Sequence, residues 1–225
     1  MNTDFSVPAP LKMQAFTILK NAIINGIFKD NDAITERIVL EKFKISRTPF
    51  REAIQVLESE GWVYTIPYKG IFVNPITLKD IQELFELRLL IEPSIIDYLF
   101  QKSEVEDFAN ELEVTVKKMN TDVSIQSDFE FMLLDQEFHN LLYKQTENSR
   151  IIAVSEQISD TMLRVGIRVL NRKERREEVI DEHKTIIAGL RDGTAKIQLI
   201  NHLNLTEESF IEMYKEVSVR KLDGK

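Results

Sequence analysis

Three histidines, His139, His183 and His202, are the only imidazoles in the chain, and one of them stands four residues after an aspartate, Asp135. On a helix that spacing sets carboxylate and imidazole on one face, where they could share a cation. An aspartate with three imidazoles would suit zinc, nickel, manganese or iron, with coordination positions left over for water or a ligand. Spacing alone does not bring His183 or His202 to Asp135, and a lone helical histidine is most often a surface or satisfied residue. A different chemistry stands nearer the N-terminus, where Arg47 and Arg51, also four apart, follow Ser46 and flank Thr48. Hydroxyl and guanidinium groups at the start of a helix are what a reader of the DNA major groove needs, and at least one arginine could fork onto guanine O6 and N7. The same residues are equally ordinary as solvated charges beside a helix cap.

The elements that must position these groups follow from periodicity. Leu11, Ala15, Phe16, Leu19, Ala22, Ile23 and Ile27 recur at helical spacing and predict a helix ending near Gly26. Lys29-Asp30-Asn31-Asp32 is a polar turn. Thr35 can cap a short second helix with Ile38, Val39, Leu40 and Phe43 on its buried side, and Ser46 a third. In that third helix Pro49 falls in the first turn, where a missing N–H costs nothing, and Phe50, Ile54 and Leu57 face inward before Gly61 stops it. The period then changes to two: residues 62–66 and 71–73 read as the strands of a two-stranded hairpin turning through Pro67-Tyr68-Lys69-Gly70. Pro75 closes the unit, and Thr77 with Asp80 opens the next helix through a capping box.

From there on every stretch has helical periodicity. Ile81, Leu84, Phe85, Leu87, Leu90 and Ile91 form a first long helix, in which Pro93 predicts a break or kink. Ser103 with Glu106 marks the start of the next, Leu133 to Leu142 stripe a third, and Asn148 caps a fourth running to about Leu170. The charged run Lys173 to Glu178 leads into a fifth, and Lys196 to about Val219 forms the last. The expected architecture is mainly α: a winged helix-turn-helix over residues 1–76 with a small two-stranded β wing, then an all-α bundle over residues 77–225.

Length and composition agree. A chain of 225 residues favours two domains, and 43% hydrophobic with 29% charged residues is ordinary for a soluble globular protein. The absence of cysteine excludes disulfides, thiolate metal sites and a cysteine nucleophile, and fits a reducing cytoplasm. No apolar run reaches a membrane span and the N-terminus lacks the pattern of a signal peptide, so a cytoplasmic protein with no membrane partner is expected. A net charge of -8 argues against a general nucleic-acid coat, but it is unevenly spread. Residues 1–76 carry 9 Lys and Arg against 8 Asp and Glu, a balance of +1, and residues 77–225 carry 20 against 29, a balance of -9. Only the first segment is electrostatically tolerable beside DNA.

Residues 12–73 resemble the GntR family of bacterial transcription factors, most specifically in Ser46-Arg47-Thr48-Pro49-Phe50-Arg51-Glu52-Ala53-Ile54, then Leu57, Glu60-Gly61-Trp62 and Lys69-Gly70-Ile71-Phe72-Val73. The resemblance implies that Arg37, Ser46, Arg47, Thr48 and Arg51, with Lys69 and Gly70 of the wing, approach DNA. It also implies a homodimer on a pseudo-palindromic operator, most often as a repressor. Lys29-Asp30-Asn31-Asp32 departs from the Pro-Gly turn usual there. The second domain is similar to the FCD effector domain of the FadR-type subfamily, in Glu86-Leu87-Arg88 with Glu92-Pro93, Asp135 to His139, Asn148, Glu182-His183 and Asn201-His202-Leu203.

That second resemblance implies that Asp135, His139, His183 and His202 hold a divalent metal, zinc or nickel favoured, at the floor of a pocket. A small carboxylate effector would complete the site, with Arg88, and Arg164 likewise, pairing its charge. The loop between the last two helices, Arg191 to Thr194, looks shorter than is usual in that family. Two alternatives stay open: a metal-free bundle that binds acyl chains or only dimerises, and a metalloenzyme with Glu137 or Glu182 as base.

Overall fold

The computed structural model describes residues 10–102, 105–120, 127–169 and 173–223. The chain divides into two compact units, Met1–Ile76 and Thr77–Lys225. In the first, α1 (Leu11–Ile24) buries Ala15, Phe16, Leu19, Ala22, Ile23 and Ile24. It ends before Ile27, because Gly26 turns the chain at φ +70°; Phe28 goes inside and Ile27 is left exposed. In the polar turn Asn31 takes φ +66°, the conformation that a glycine would otherwise supply, and the Asp32 carboxylate accepts the Lys29 N–H at 2.7 Å.

That turn delivers a strand too short to show any period, β1 (Ala33–Ile34). The helix-turn-helix pair follows as α2 (Glu36–Phe43) and α3 (Arg47–Ser59). The Thr35 hydroxyl accepts the Ile38 N–H at 3.3 Å, so the second helix is capped as its sequence predicts. Of its expected apolar side, Val39 is sealed, Ile38 and Phe43 are half-buried, and Leu40 is exposed. One residue advances a helix by about 100°, which carries Leu40 away from the stripe that Val39 defines. Helix α3 packs on α1 through Phe50, Ala53, Ile54 and Leu57, all of them buried. Each large side chain so buried contributes roughly 1.5–3 kcal/mol. The wing is β2 (Val63–Ile66) antiparallel to β3 (Gly70–Val73), and β1 adds to the far edge of β3 to give the order β1-β3-β2. The sheet therefore has three strands where periodicity marked two.

The second unit is a bundle of α4 (Leu78–Leu99), α5 (Val105–Asn120), α6 (Asp128–Lys144), α7 (Ser149–Val169), α8 (Lys173–Asp192) and α9 (Ala195–Asp223). Helix α4 lies along α9; α8 packs on both α9 and α5; α6 packs on α5 and α7. Thr77 and Asp80 close the expected capping box, and Ser127 with Glu130 forms a second at the start of α6. Asn148 receives the N–H groups of Arg150 and Ile151 at 3.0 and 3.4 Å. Ser103 and Leu170 lie outside the described residues.

Helix α4 runs through Pro93 without the break that was one of the two expected outcomes. Glu92, Pro93, Ile95 and Ile96 are all buried, so packing on both sides of the proline holds the helix, and the Ser94 hydroxyl donates to the Leu90 carbonyl at 3.0 Å. Leu87, Leu90 and Leu133 also differ from expectation, since all three are exposed. Only Gly193 and Thr194 separate α8 from α9. This short connection rests on Gly189, where a Cβ would lie 2.5 Å from the backbone nitrogen of Ala195. No helix among the described residues is long and apolar enough to cross a membrane.

Candidate metal centre and nucleic-acid interface

In the bundle, four residues from three helices converge. Asp135 and His139 come from α6, His183 from α8 and His202 from α9, and one ligand atom from each lies within 4.8 Å of all the others. All four residues are buried. The Nε2 atoms of His139 and His202 face each other at 3.1 Å, and His183 Nε2 lies 3.5 Å from an Asp135 carboxylate oxygen. The other Asp135 oxygen accepts from the Gln136 amide at 2.9 Å.

The far side of two rings is fixed. His139 Nδ1 is 2.9 Å from Glu92 of α4, and His202 Nδ1 is 2.6 Å from Glu182 of α8. A carboxylate at Nδ1 calls for a proton there, which leaves the Nε2 lone pair turned inward. Each carboxylate is backed in turn by an arginine. Arg88 Nε donates to Glu92 at 2.7 Å, and Arg175 Nη2 donates to Glu182 at 3.1 Å and to the Thr206 hydroxyl at 3.0 Å. The Tyr143 hydroxyl also donates to Glu92, at 3.1 Å. His183 differs: its ring stacks on Phe138 with centroids 3.9 Å apart, and neither of its nitrogens has a hydrogen-bond partner.

The electrostatics follow from burial. Burial, and then the neighbouring histidines, push the His183 and His202 pKa values well below the ordinary one, so both rings are neutral and able to offer a lone pair. Burial alone would raise the Glu92 pKa, but Arg88 and His139 hold its carboxyl well below the ordinary carboxylate range. Burial and the adjacent Glu92 push the Tyr143 phenol up.

The donor set therefore fits a divalent metal. Metal–nitrogen bonds of about 2.1 Å require neighbouring donors roughly 3–3.5 Å apart, and buried nitrogens without partners are what such an ion would satisfy. Asp135, His139, His183 and His202 would hold it, and a bound divalent cation there would supply a Lewis-acid centre able to take a carboxylate oxygen.

Arg88 lies one step behind this set. It is 0% exposed, its charge is already paired by Glu92, and its Nη2 is buried without a partner. Arg164 is buried on α7. Glu137, one of the two residues weighed as a base, is turned toward Lys118, 3.0 Å away. The supporting roles of Glu92, Glu182, Tyr143 and Arg175 escaped the sequence reading. An Arg and a Glu falling on the buried stripe of α4, at the spacing Ile81, Phe85, Arg88, Glu92, Ile96, Leu99, was the available signal for the first pair.

In the first unit the expected DNA-contacting residues are exposed, and two of them, Arg47 and Arg51, meet one acid that the sequence reading also missed. Glu36, at the start of α2, accepts from Arg51 Nε at 2.8 Å through one oxygen and meets Arg47 Nε at 3.2 Å through the other. The hydrogen bond from Arg51, and then the charge of Arg47, lower the pKa of Glu36. Both contacts use Nε. Arg37 sits over Glu41 at 3.5 Å. Ser46 is the N-cap of α3 but makes no capping bond, and no acid lies in the first turn of that helix. The backbone N–H groups of Arg47 and Thr48 therefore have no intrahelical acceptor and form an anion-attracting terminus. Lys69 and Gly70 lie exposed at the wing turn, with Gly70 at φ +122°.

Comparison with known proteins matches both units. Residues 11–73 match the family described as bacterial regulatory proteins, gntR family, and residues 83–197 match the FCD domain. The chain is 27% identical over 209 residues to the HTH-type transcriptional regulator YdhC of Bacillus subtilis (strain 168), covering 89% of this chain and 92% of that one. It is 24% identical over 178 residues to the gluconate operon transcriptional repressor of the same organism, covering 77% and 72%. Among solved structures, E. coli McbR/YncC shares the fold with a TM-score of 0.74 at 17% identity, over 91% of this chain and 99% of the other. The family and these relatives are regulators rather than enzymes, which removes the metalloenzyme alternative. A winged helix-turn-helix joined to an FCD bundle, matched in sequence across both units, makes this chain a member of the GntR family of DNA-binding transcriptional regulators.

Proposed function

We propose that this regulator is a cytoplasmic, homodimeric repressor that leaves its operator when a small carboxylate binds beside a divalent metal in its FCD bundle. The observation that carries the reading is the buried convergence of Asp135, His139, His183 and His202, with two of the imidazoles locked from behind by Glu92 and Glu182. Residues 1–76 bind DNA through Arg37, Ser46, Arg47, Thr48 and Arg51, with Lys69 and Gly70 from the wing. Residues 77–225 bind the effector and dimerise. The four ligands hold the metal, zinc or nickel by donor set, and a carboxylate oxygen of the effector completes its coordination. Arg88 Nη2 and Arg164 are the cationic groups available to pair the remaining charge. The gluconate operon repressor among the relatives supports an organic acid as the effector class and repression as the mode.

Thermal-shift screening of carboxylates with and without zinc or nickel tests the reading. An acid that stabilises the protein only when metal is present, and that weakens operator binding by a dimeric species, is the expected result. Protein purified without chelator that carries no metal, and that takes up none, would leave a metal-free bundle as the correct account.

A further inference from the structure

Tyr68 stands at the tip of the wing in a position that a folded chain rarely gives an aromatic residue. The turn between β2 and β3 is closed by the Lys69 N–H donating to the Ile66 carbonyl at 3.0 Å, with Pro67 in its second position and Tyr68 in its third. The third position takes φ +64°, where glycine or asparagine is ordinary and a bulky side chain is strained. Gly70, two residues on, takes the other unusual conformation of the hairpin, so the strain at Tyr68 is not forced by a lack of glycine in the segment. The tyrosine earns nothing back from the fold. It is 109% exposed and makes no ring contact or hydrogen bond among the described residues.

The hairpin beneath it is rigid. Tyr64 and Phe72 stack across the strands at 5.7 Å, the Thr65 N–H is held by Glu58 of α3 at 2.9 Å, and Asn31, Asp32 and Val73 exchange backbone bonds at 3.0 Å on the other edge. The strained residue is thus presented outward on a fixed support, as expected of a contact residue whose partner lies outside the chain.

Resting on the reading of this unit as operator-binding, we propose that Tyr68 is a DNA-contacting wedge. Its ring enters the minor groove and packs its apolar faces on the deoxyribose walls, while Lys69 beside it meets a phosphate. The minor groove is about 6 Å wide, too narrow for a two-stranded ribbon but open to one flat ring, and apolar side chains at such tips are a known way of engaging it. Lys69 supplies charge that an apolar protein partner would not need.

The test uses the full-length protein and an operator duplex selected by the protein itself from a random library. Tyr68→Asn accommodates the positive φ, so the unfolding transition of the first unit should move up in temperature while operator affinity falls roughly five- to a hundredfold. Tyr68→Phe keeps the ring and should bind within about twofold of the parent. Operator affinity unchanged in Tyr68→Asn overturns the proposal, and a loss in Tyr68→Phe equal to that in Tyr68→Asn overturns the role of the ring in favour of the hydroxyl. Arg47→Ala runs in parallel: if it too binds as the parent does, the operator-binding reading of the unit has failed rather than the wedge alone.

Discussion

Both units assemble carboxylates and cations, and they do so in opposite dielectric settings. In the first, Glu36 holds Arg47 and Arg51 at the surface through contacts that water and salt weaken and that a phosphate can replace. In the second, Arg88–Glu92–His139 is wholly buried, so that removing one member strands the charge of the next, and Arg175–Glu182–His202 is partly buried beside it. The contrast separates two tasks. Under the proposed reading, pairs to be exchanged for DNA are cheap to break, and pairs that hold lone pairs toward a metal are costly to disturb.

The strongest way to break that contrast is at the cluster itself. His183→Ala combined with His202→Ala should reduce bound metal to background in elemental analysis and abolish stabilisation by added zinc or nickel, with operator selectivity retained by the first unit. Unchanged metal content would refute the ligand set. Next in size is Glu92→Gln, which leaves Arg88 charged and buried. A stability loss of about 3 kcal/mol or more is expected in urea unfolding, together with metal affinity lower by roughly ten- to a hundredfold in chelator competition.

Arg51→Ala should cost about 1–3 kcal/mol of operator binding and relax selectivity at one base position, without altering metal content. A change in metal content would merge the two sets of charges that the comparison keeps apart.

Two smaller effects sharpen it. The unfolded chain protonates its histidines near the ordinary pKa of 6.5, whereas folded His183 and His202 resist protonation because they are buried. Between the depressed folded pKa and 6.5 the unfolded state binds more protons, so metal-free protein should lose stability as pH falls below about 6.5. Glu92, held below its ordinary 4.5, adds a further loss in more acid solution, because the stability it gives is present above that value and disappears beneath it. Urea midpoints compared at about pH 7.5 and 5.5 check the first part. Finally, Glu36→Gln removes an exposed acid beside two arginines. It should strengthen binding to scrambled DNA by a few-fold and steepen the salt dependence by about one unit of slope, with little change in Tm.

The fold was legible wherever local chemistry decides it: the Thr35 cap, the Thr77–Asp80 box, the period change after Gly61 and the helical stripes of the bundle. It was not legible where tertiary packing overrides a local rule. Pro93 is carried through α4 by burial on either side, and β1 is paired by Ile71 and Phe72, far along the chain, rather than by any pattern of its own. At the sites, the residues that cluster in the bundle, Asp135, His139, His183 and His202, could be named from type and spacing together with family resemblance. Glu36, Glu92 and Glu182 could not be read as supports, since a carboxylate carries no mark in sequence of whether it faces water, an arginine or the back of an imidazole.

The short connection between α8 and α9 acts on the cluster like the pivot of a pair of calipers. His183 lies six residues before Gly189 and His202 seven after Ala195, so at 1.5 Å per residue the two jaws are about 9 and 10 Å long and nearly equal. Because the pivot has no room for a Cβ, α8 and α9 meet closely there, and the two jaws open from that contact. Under the proposed reading, a glycine that never touches the ion brings together two of the three helices that would hold it.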